Sequence, residues 1–350
     1  MNNSILKQYF PMIRTRNEIM MEIRQKPLLE AAFRSWEPIR QEEFLNFCTG
    51  MKGCKVLYDT FFKHVMNPEL HPERLEQLLS LLLHRNVKIL QVLPNESRIA
   101  AQDSLLIMDI VVEMEDGSIA NVEMQKISYA FPGQRSSCYS ADLLLRQYQR
   151  VKLDLTQKNV RFSYRYIKDV YTIVLFENSP AECKALPNDY VHYGRVRFDT
   201  GLKVEMPQEF IYVPLDIFRE ILHNKGITGD LDAWLAFLCE DDPETIVMLI
   251  RQYPGFKFLY DDIYKLCENM EDIMGYFSEA LREMDKNTVQ YMIEEQQNTI
   301  DEQRGTIEGL QGTVEEQQGT IEEQQGRLEE QQDTIKKLKA ELLKYKKQTE

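Results

Sequence analysis

LLIMDIVVEMEDGSIANVEMQKI, residues 105–127, decides the fold of this 350-residue chain. Two apolar runs, LLIMDIVVEM (105–114) and SIANVEMQKI (118–127), flank Glu115-Asp116-Gly117, a strong hairpin signal. A three-residue turn with Gly117 as its bulge residue pairs Met114 with Ser118. That register sets Asp109 directly across from Glu123, with β-carbons about 4.5–5.5 Å apart. Gln125 follows about 6.5–7 Å along the same face. Alternation puts Met108, Ile110, Val112, Met114, Ala120, Val122 and Met124 on one apolar face, expected to be core. Ile107, Asp109, Val111, Glu113, Ile119, Asn121, Glu123 and Gln125 share the other.

Two opposed carboxylates repel each other, and burial sharpens the conflict. A divalent cation removes it. Mg²⁺ is typically held by one or two carboxylates, several waters and a substrate phosphate. It can activate water and stabilise charge on a phosphodiester. The plainer reading is a pair of solvated acids on an exposed hairpin face. Against it, Asp109 sits inside LLIMDIVV, an unnatural setting for a solvated acid.

Upstream, PERLEQLLSLLLH (72–84) predicts a helix with Pro72 in its first turn and a leucine stripe. VKILQVL (87–93) reads as a short strand. A helix is expected over about 134–151, and DVYTIVLFE (169–177) is a buried-type strand. RVRFD (195–199) and EFIYVPL (209–215) predict further strands. Residues 1–65 and 216–292 read as helical. The order helix, strand, strand, strand, helix, strand makes this an α/β or α+β fold, a mixed sheet flanked by helices.

The tail has its own period. Ile293, Ile300, Ile307, Val314, Ile321, Leu328, Ile335 and Leu342 recur every seven residues. The d positions are mostly Gln, a weak seam, and Gly305, Gly312, Gly319 and Gly326 each cost a helix about 1 kcal/mol. Either the tail self-associates as a coiled coil or it is a partly disordered acidic stalk.

The net charge of −14 is uneven. Residues 294–333 hold twelve acids and two bases, whereas 126–168 hold nine bases and two acids. A basic segment in an acidic protein is an electrostatic footprint for phosphate. The six cysteines are scattered, without CxxC or Cys/His spacing, which excludes an obvious zinc site or disulfide framework. The opening MNNSILKQYF lacks a signal-peptide core, and no run reaches the roughly 20 apolar residues of a membrane span. A cytoplasmic location and no membrane partner are expected. No phosphate loop, dinucleotide fingerprint, nucleophile elbow or paired-histidine motif is present.

On the helix after the hairpin, Arg135, Tyr139, Asp142 and Arg146 share one face. Either they grip phosphates and stack bases, or they form a solvated face with Tyr139 as packing. RFSYRYIK (161–168) interleaves three bases with three aromatics, as a second backbone contact or as a loop entering a strand.

MDIVVEMEDGSIANVEMQ resembles the core of the PD-(D/E)XK nuclease superfamily, in particular its transposase-like, recombination-promoting branch. The downstream FPGQRSSCYSADLLLRQY is similar to the family's helix, with Arg135 and Tyr139 at the matching spacing. The resemblance covers about residues 55–220. It implies a restriction-endonuclease-like core, with Asp109 and Glu123 binding Mg²⁺ (Mn²⁺ as the alternative). Gln125 would take the place of the lysine that orients the attacking water. Glu73 and Glu76 are the candidates for a first-helix acid. Arg135, Tyr139, Arg146 and Arg150 are the candidate DNA contacts. The expected organisation is a helical extension (1–54), a nuclease-like core (55–220), a helical subdomain (221–292) and a heptad-repeat tail (293–350) that joins copies of the chain. The expected function is a Mg²⁺-dependent DNA endonuclease. The alternatives are a degenerate nuclease-fold DNA-binding or scaffold protein and a coiled-coil interaction protein.

Overall fold

The computed structural model describes residues 4–94, 108–126 and 131–348. The chain divides into two units, Met1–Val289 and Gln290–Glu350. In chain order, the first unit begins with α1 (Arg16–Gln25), α2 (Pro27–Ser35), α3 (Pro38–Cys48), α4 (Asp59–Val65) and α5 (Pro72–Leu83). Next come β1 (Ile89–Leu93), β2 (Ile110–Met114), β3 (Ile119–Gln125), α6 (Pro132–Gln157) and β4 (Val170–Phe176). Then follow α7 (Ala181–Lys184), β5 (His192–Arg195), β6 (Gln208–Pro214), α8 (Leu215–Lys225), α9 (Asp230–Cys239), α10 (Pro243–Gln252) and α11 (Phe256–Leu266). The last helix, α12, runs Met270–Gln348.

The strands form one mixed sheet in the order β1-β2-β3-β4-β6-β5. β1, β2 and β3 are antiparallel neighbours, and β3, β4 and β6 are parallel. The hairpin has the expected register. Ile110 pairs Val122 and Glu113 pairs Ile119, and the Met114 amide donates to the Ser118 carbonyl at 2.9 Å. Gly117 takes φ +84°, a conformation that costs a side chain but not glycine.

α5 starts at Pro72 because proline's fixed φ suits a first helical position and its missing N–H is not needed there. Leu75, Leu78, Leu79 and Leu82 are fully buried, each contributing about 1.5–3 kcal/mol. They join Ile110, Val112, Met114, Ala120, Val122, Ile173 and Val213 in the main core on one face of the sheet. A smaller cluster fills the other face: Met108, Val111, Ile119 and Val170 beneath Tyr139 and Leu143 of α6.

Three expectations need correction. Met108 belongs to this second cluster, not to the Ile110 face. The chain bends at Asp109, just before β2 begins, so strict alternation does not extend upstream of Ile110. RVRFD is not a strand over 195–199. Arg195 already pairs Glu209, and β6 begins at Gln208, so the residues beyond Arg195 have almost no partner strand left. α6 exceeds the expected 134–151 by several residues. Ile107 and residues 105–106 of the predicted first strand lie outside the described residues.

In the second unit, α12 runs unbroken through the glycine-containing heptads. Ile300, Ile307, Val314, Ile321, Leu328 and Ile335 are each about half exposed along it. No helix among the described residues is long and apolar enough to cross a membrane.

Candidate active site

The geometry at Asp109 and Glu123 follows from where the hairpin ladder stops. One position beyond the Ile110–Val122 pair, side chains replace the next backbone rung. The Asp109 amide donates to Glu123 Oε1 at 3.0 Å, and the Met124 amide donates to Asp109 Oδ2 at 2.7 Å. Asn121, two residues before Glu123 on the same face, adds a second donor to Oε1 at 2.9 Å. α6 lies over this face, so Glu123 is only 7% exposed. Burial first, and the facing Asp109 carboxylate second, push the Glu123 carboxyl up to about 8. The donors on Oε1 and the guanidinium of Arg135 pull the other way.

Asp109 opens into a cleft of about 470 Å³ lined by Lys63, Asn67, Glu69, Leu93 and Pro94, among others. Lys63 Nζ, from α4, lies 3.2 Å from Asp109 Oδ1. Sequence reading missed Lys63, because nothing in FFKHV marks a lysine folded back onto a strand some 45 positions away. Asn121 carried a usable signal: it shares the alternating face with Glu123 and Gln125.

Gln125 ends β3, and its side chain is buried beyond Glu123 on the covered face. Its Nε2 is buried without a hydrogen-bond partner among the described residues. An orphaned amide costs about 1–3 kcal/mol, so it marks a place where a polar ligand atom belongs.

The structure gives the two first-helix acids other partners. Glu76 is buried, but its two oxygens accept from Lys88 Nζ at 2.7 Å and the Ile89 amide at 2.9 Å, fastening β1 to α5. Glu73 sits beside His71 at 3.3 Å, at the start of α5. Among the described residues no group of three or more His, Cys, Asp or Glu side chains forms a metal cluster, so neither completes one with Asp109 and Glu123.

The α6 stripe faces the sheet, not outward. Tyr139 is core, and burial pushes its hydroxyl well above the usual tyrosine range. Arg135 Nε donates to that hydroxyl at 3.1 Å. Arg146 binds Asp142 at 2.7 Å and the Pro94 carbonyl. Arg150 pairs with Glu113 and donates to the Gly117 carbonyl at 2.9 Å. The helix period that groups these residues does not say which way the face points. The leucines alongside them, Leu145 and Leu153, are the ones left exposed.

A family profile described as PD-(D/E)XK nuclease family transposase matches residues 56–294. The chain belongs to this family. Neither a curated protein nor a solved structure shows significant similarity to it. As a PD-(D/E)XK nuclease family transposase domain, the first unit has the helix, three strands, helix, strand order of the nuclease core in α5, β1, β2, β3, α6 and β4. Asp109, Glu123 and Gln125 gather at one end of the β2–β3 hairpin within the matched range.

Proposed function

We propose that this chain is a Mg²⁺- or Mn²⁺-dependent DNA endonuclease acting through Asp109 and Glu123. The observation that carries the reading is the opposed carboxylate pair, Glu123 buried and Asp109 partly so, with Glu123 pushed up to about 8. Two hard oxygen donors, an orphaned amide and an open cleft suit a small divalent cation with water and phosphate around it. Asp109 and Glu123 would hold the ion, which when bound activates water and takes up charge from the phosphodiester. Gln125 orients the attacking water through its free Nε2. An amide cannot readily accept a proton or supply charge; Lys63, beside Asp109, brings the positive charge that Gln125 lacks. Arg135 adds its field at Glu123. The nuclease core is proposed to span 55–220, with 1–54 and 221–292 as helical additions. The exposed heptad face of 293–350 joins copies of the chain, which suits double-strand cleavage because each site cuts one strand.

A second reading, a DNA-binding protein with a degenerate site, rests on the Lys63–Asp109 ion pair: an ammonium there already neutralises one carboxylate. Plasmid DNA with Mg²⁺ or with EDTA separates the two. Metal-dependent nicking that disappears in Asp109→Ala supports the nuclease. Nicking that survives the substitution sinks the site assignment. Retained DNA binding without any nicking supports the degenerate reading.

A further inference from the structure

A second cluster of chemistry lies at the far end of α6 from Arg135. Tyr148 of α6 meets Phe162 and Tyr164 of the loop before β4. Phe162 stands edge-on to both, at 5.2 Å and 77° from Tyr148 and 5.2 Å and 78° from Tyr164. Tyr148 and Tyr164 are near-parallel, 25° apart, with centroids 6.4 Å from each other. Tyr164, despite these ring contacts, is 76% exposed and leaves a large aromatic surface open to solvent. Lys152 Nζ sits 5.7 Å from the Tyr148 ring centroid.

A three-ring cluster of this shape takes either an organic cation or a flat base. The surrounding charge decides. Residues 148–168 carry six bases and one acid, Asp154, which pairs with Lys158. Lys152, Arg161, Arg165 and Lys168 are exposed, and none has a carboxylate within ion-pair distance among the described residues. This field repels a cation and attracts phosphate. Stacking on a ring face also needs a base freed from its partner, because a paired base shows only its edges in the grooves.

We propose that Tyr148, Phe162 and Tyr164 form a platform for an unpaired base of a nucleic-acid strand, with Lys152, Arg161 and Arg165 holding the flanking phosphates. The proposal rests on the DNA reading above and extends it: the preferred substrate contains single-stranded DNA. Tyr148 lies thirteen positions along the helix from Arg135, about 20 Å, a span of several nucleotides of a strand. The platform therefore engages the strand several nucleotides from the point of cleavage.

The test is fluorescence anisotropy of the full chain in EDTA, with a labelled single strand of about 30 nucleotides and the duplex of the same sequence. Tyr164→Ala should weaken single-strand binding roughly tenfold or more and change duplex binding less than about twofold. Tyr164→Phe, which keeps the ring, should bind the single strand like the parent. Because Tyr164 is exposed, both variants should melt with the parent chain. Unchanged single-strand binding by Tyr164→Ala, or equal loss on both DNA forms, overturns the platform but leaves the nuclease reading standing. If the parent chain binds neither form, the DNA reading fails, and the platform with it.

Discussion

Asp109 and Glu123 are cross-linked through backbone amides: Asp109 N–H donates to Glu123 Oε1 at 3.0 Å, while the Asp109 carboxylate accepts from Met124 N–H at 2.7 Å. The same oxygens proposed to hold a metal thus also finish the β2–β3 ladder. Asp109→Ala should cost about 1–3 kcal/mol, because it strands the half-buried Met124 amide. Asp109→Asn keeps an acceptor for Met124 and should melt within about 1 kcal/mol of the parent. Both should lose metal-dependent nicking, by roughly a hundredfold or more. Thermal melts alongside plasmid nicking separate the two roles.

The raised Glu123 carboxyl predicts a pH dependence in the metal-free protein. Its folded-state value, about 8, lies above the ordinary 4.5, so the folded chain keeps a proton that the unfolded chain has lost. Stability from this group is full below about 4.5 and is lost as pH rises toward 8, by at most about 1.4 kcal/mol per unit. Melting in EDTA between pH 5 and 8 should show the decline, and Glu123→Gln should flatten it. Saturating Mg²⁺ at pH 8 should restore the parent, since a bound cation favours the ionised form. A parent curve no steeper than that of Glu123→Gln would rule this out.

Lys63 should affect metal affinity and turnover in opposite directions. Without its ammonium beside Asp109, the carboxylate pair has more charge to share with a cation, so Lys63→Ala should bind Mn²⁺ more tightly by calorimetry. Cleavage should nevertheless fall, by roughly tenfold or more, because Gln125 cannot supply the missing charge. Equal turnover by the parent and Lys63→Ala would assign Lys63 to apo-state neutralisation alone.

Ile307 and Ile321 are half exposed on α12 at heptad-related positions. If the tail joins copies as proposed, replacing both by Asp in the full chain should turn the oligomer into monomers in light scattering while leaving DNA binding per chain intact. An unchanged mass would remove the tail from the proposed assembly.

The core was legible because its signals are local. The Gly117 turn and the alternation of Ile110–Met114 against Ile119–Gln125 fix a register that no distant residue alters. The family match, over residues 56–294, includes the same stretch. What could not be read was whatever depends on non-local packing. α6 turns its Arg135–Tyr139–Arg146 stripe inward because Met108, Val111 and Ile119 offer an apolar floor there, and no period within the helix encodes that. Glu76 looked like a site acid until Lys88 and β1 took it. Lys63 reaches Asp109 from a helix whose sequence carries no catalytic mark.

Both borders of the sheet are poor templates for growth. β5 offers only His192–Arg195, and β1 breaks its register between Ile89 and Gln91. Short and irregular borders discourage one sheet from adding to another. The fully buried strands β2 and β4 are thereby kept from seeding fibrils, and the proposed gathering of copies through the tail would not carry the risk of polymerising through strands.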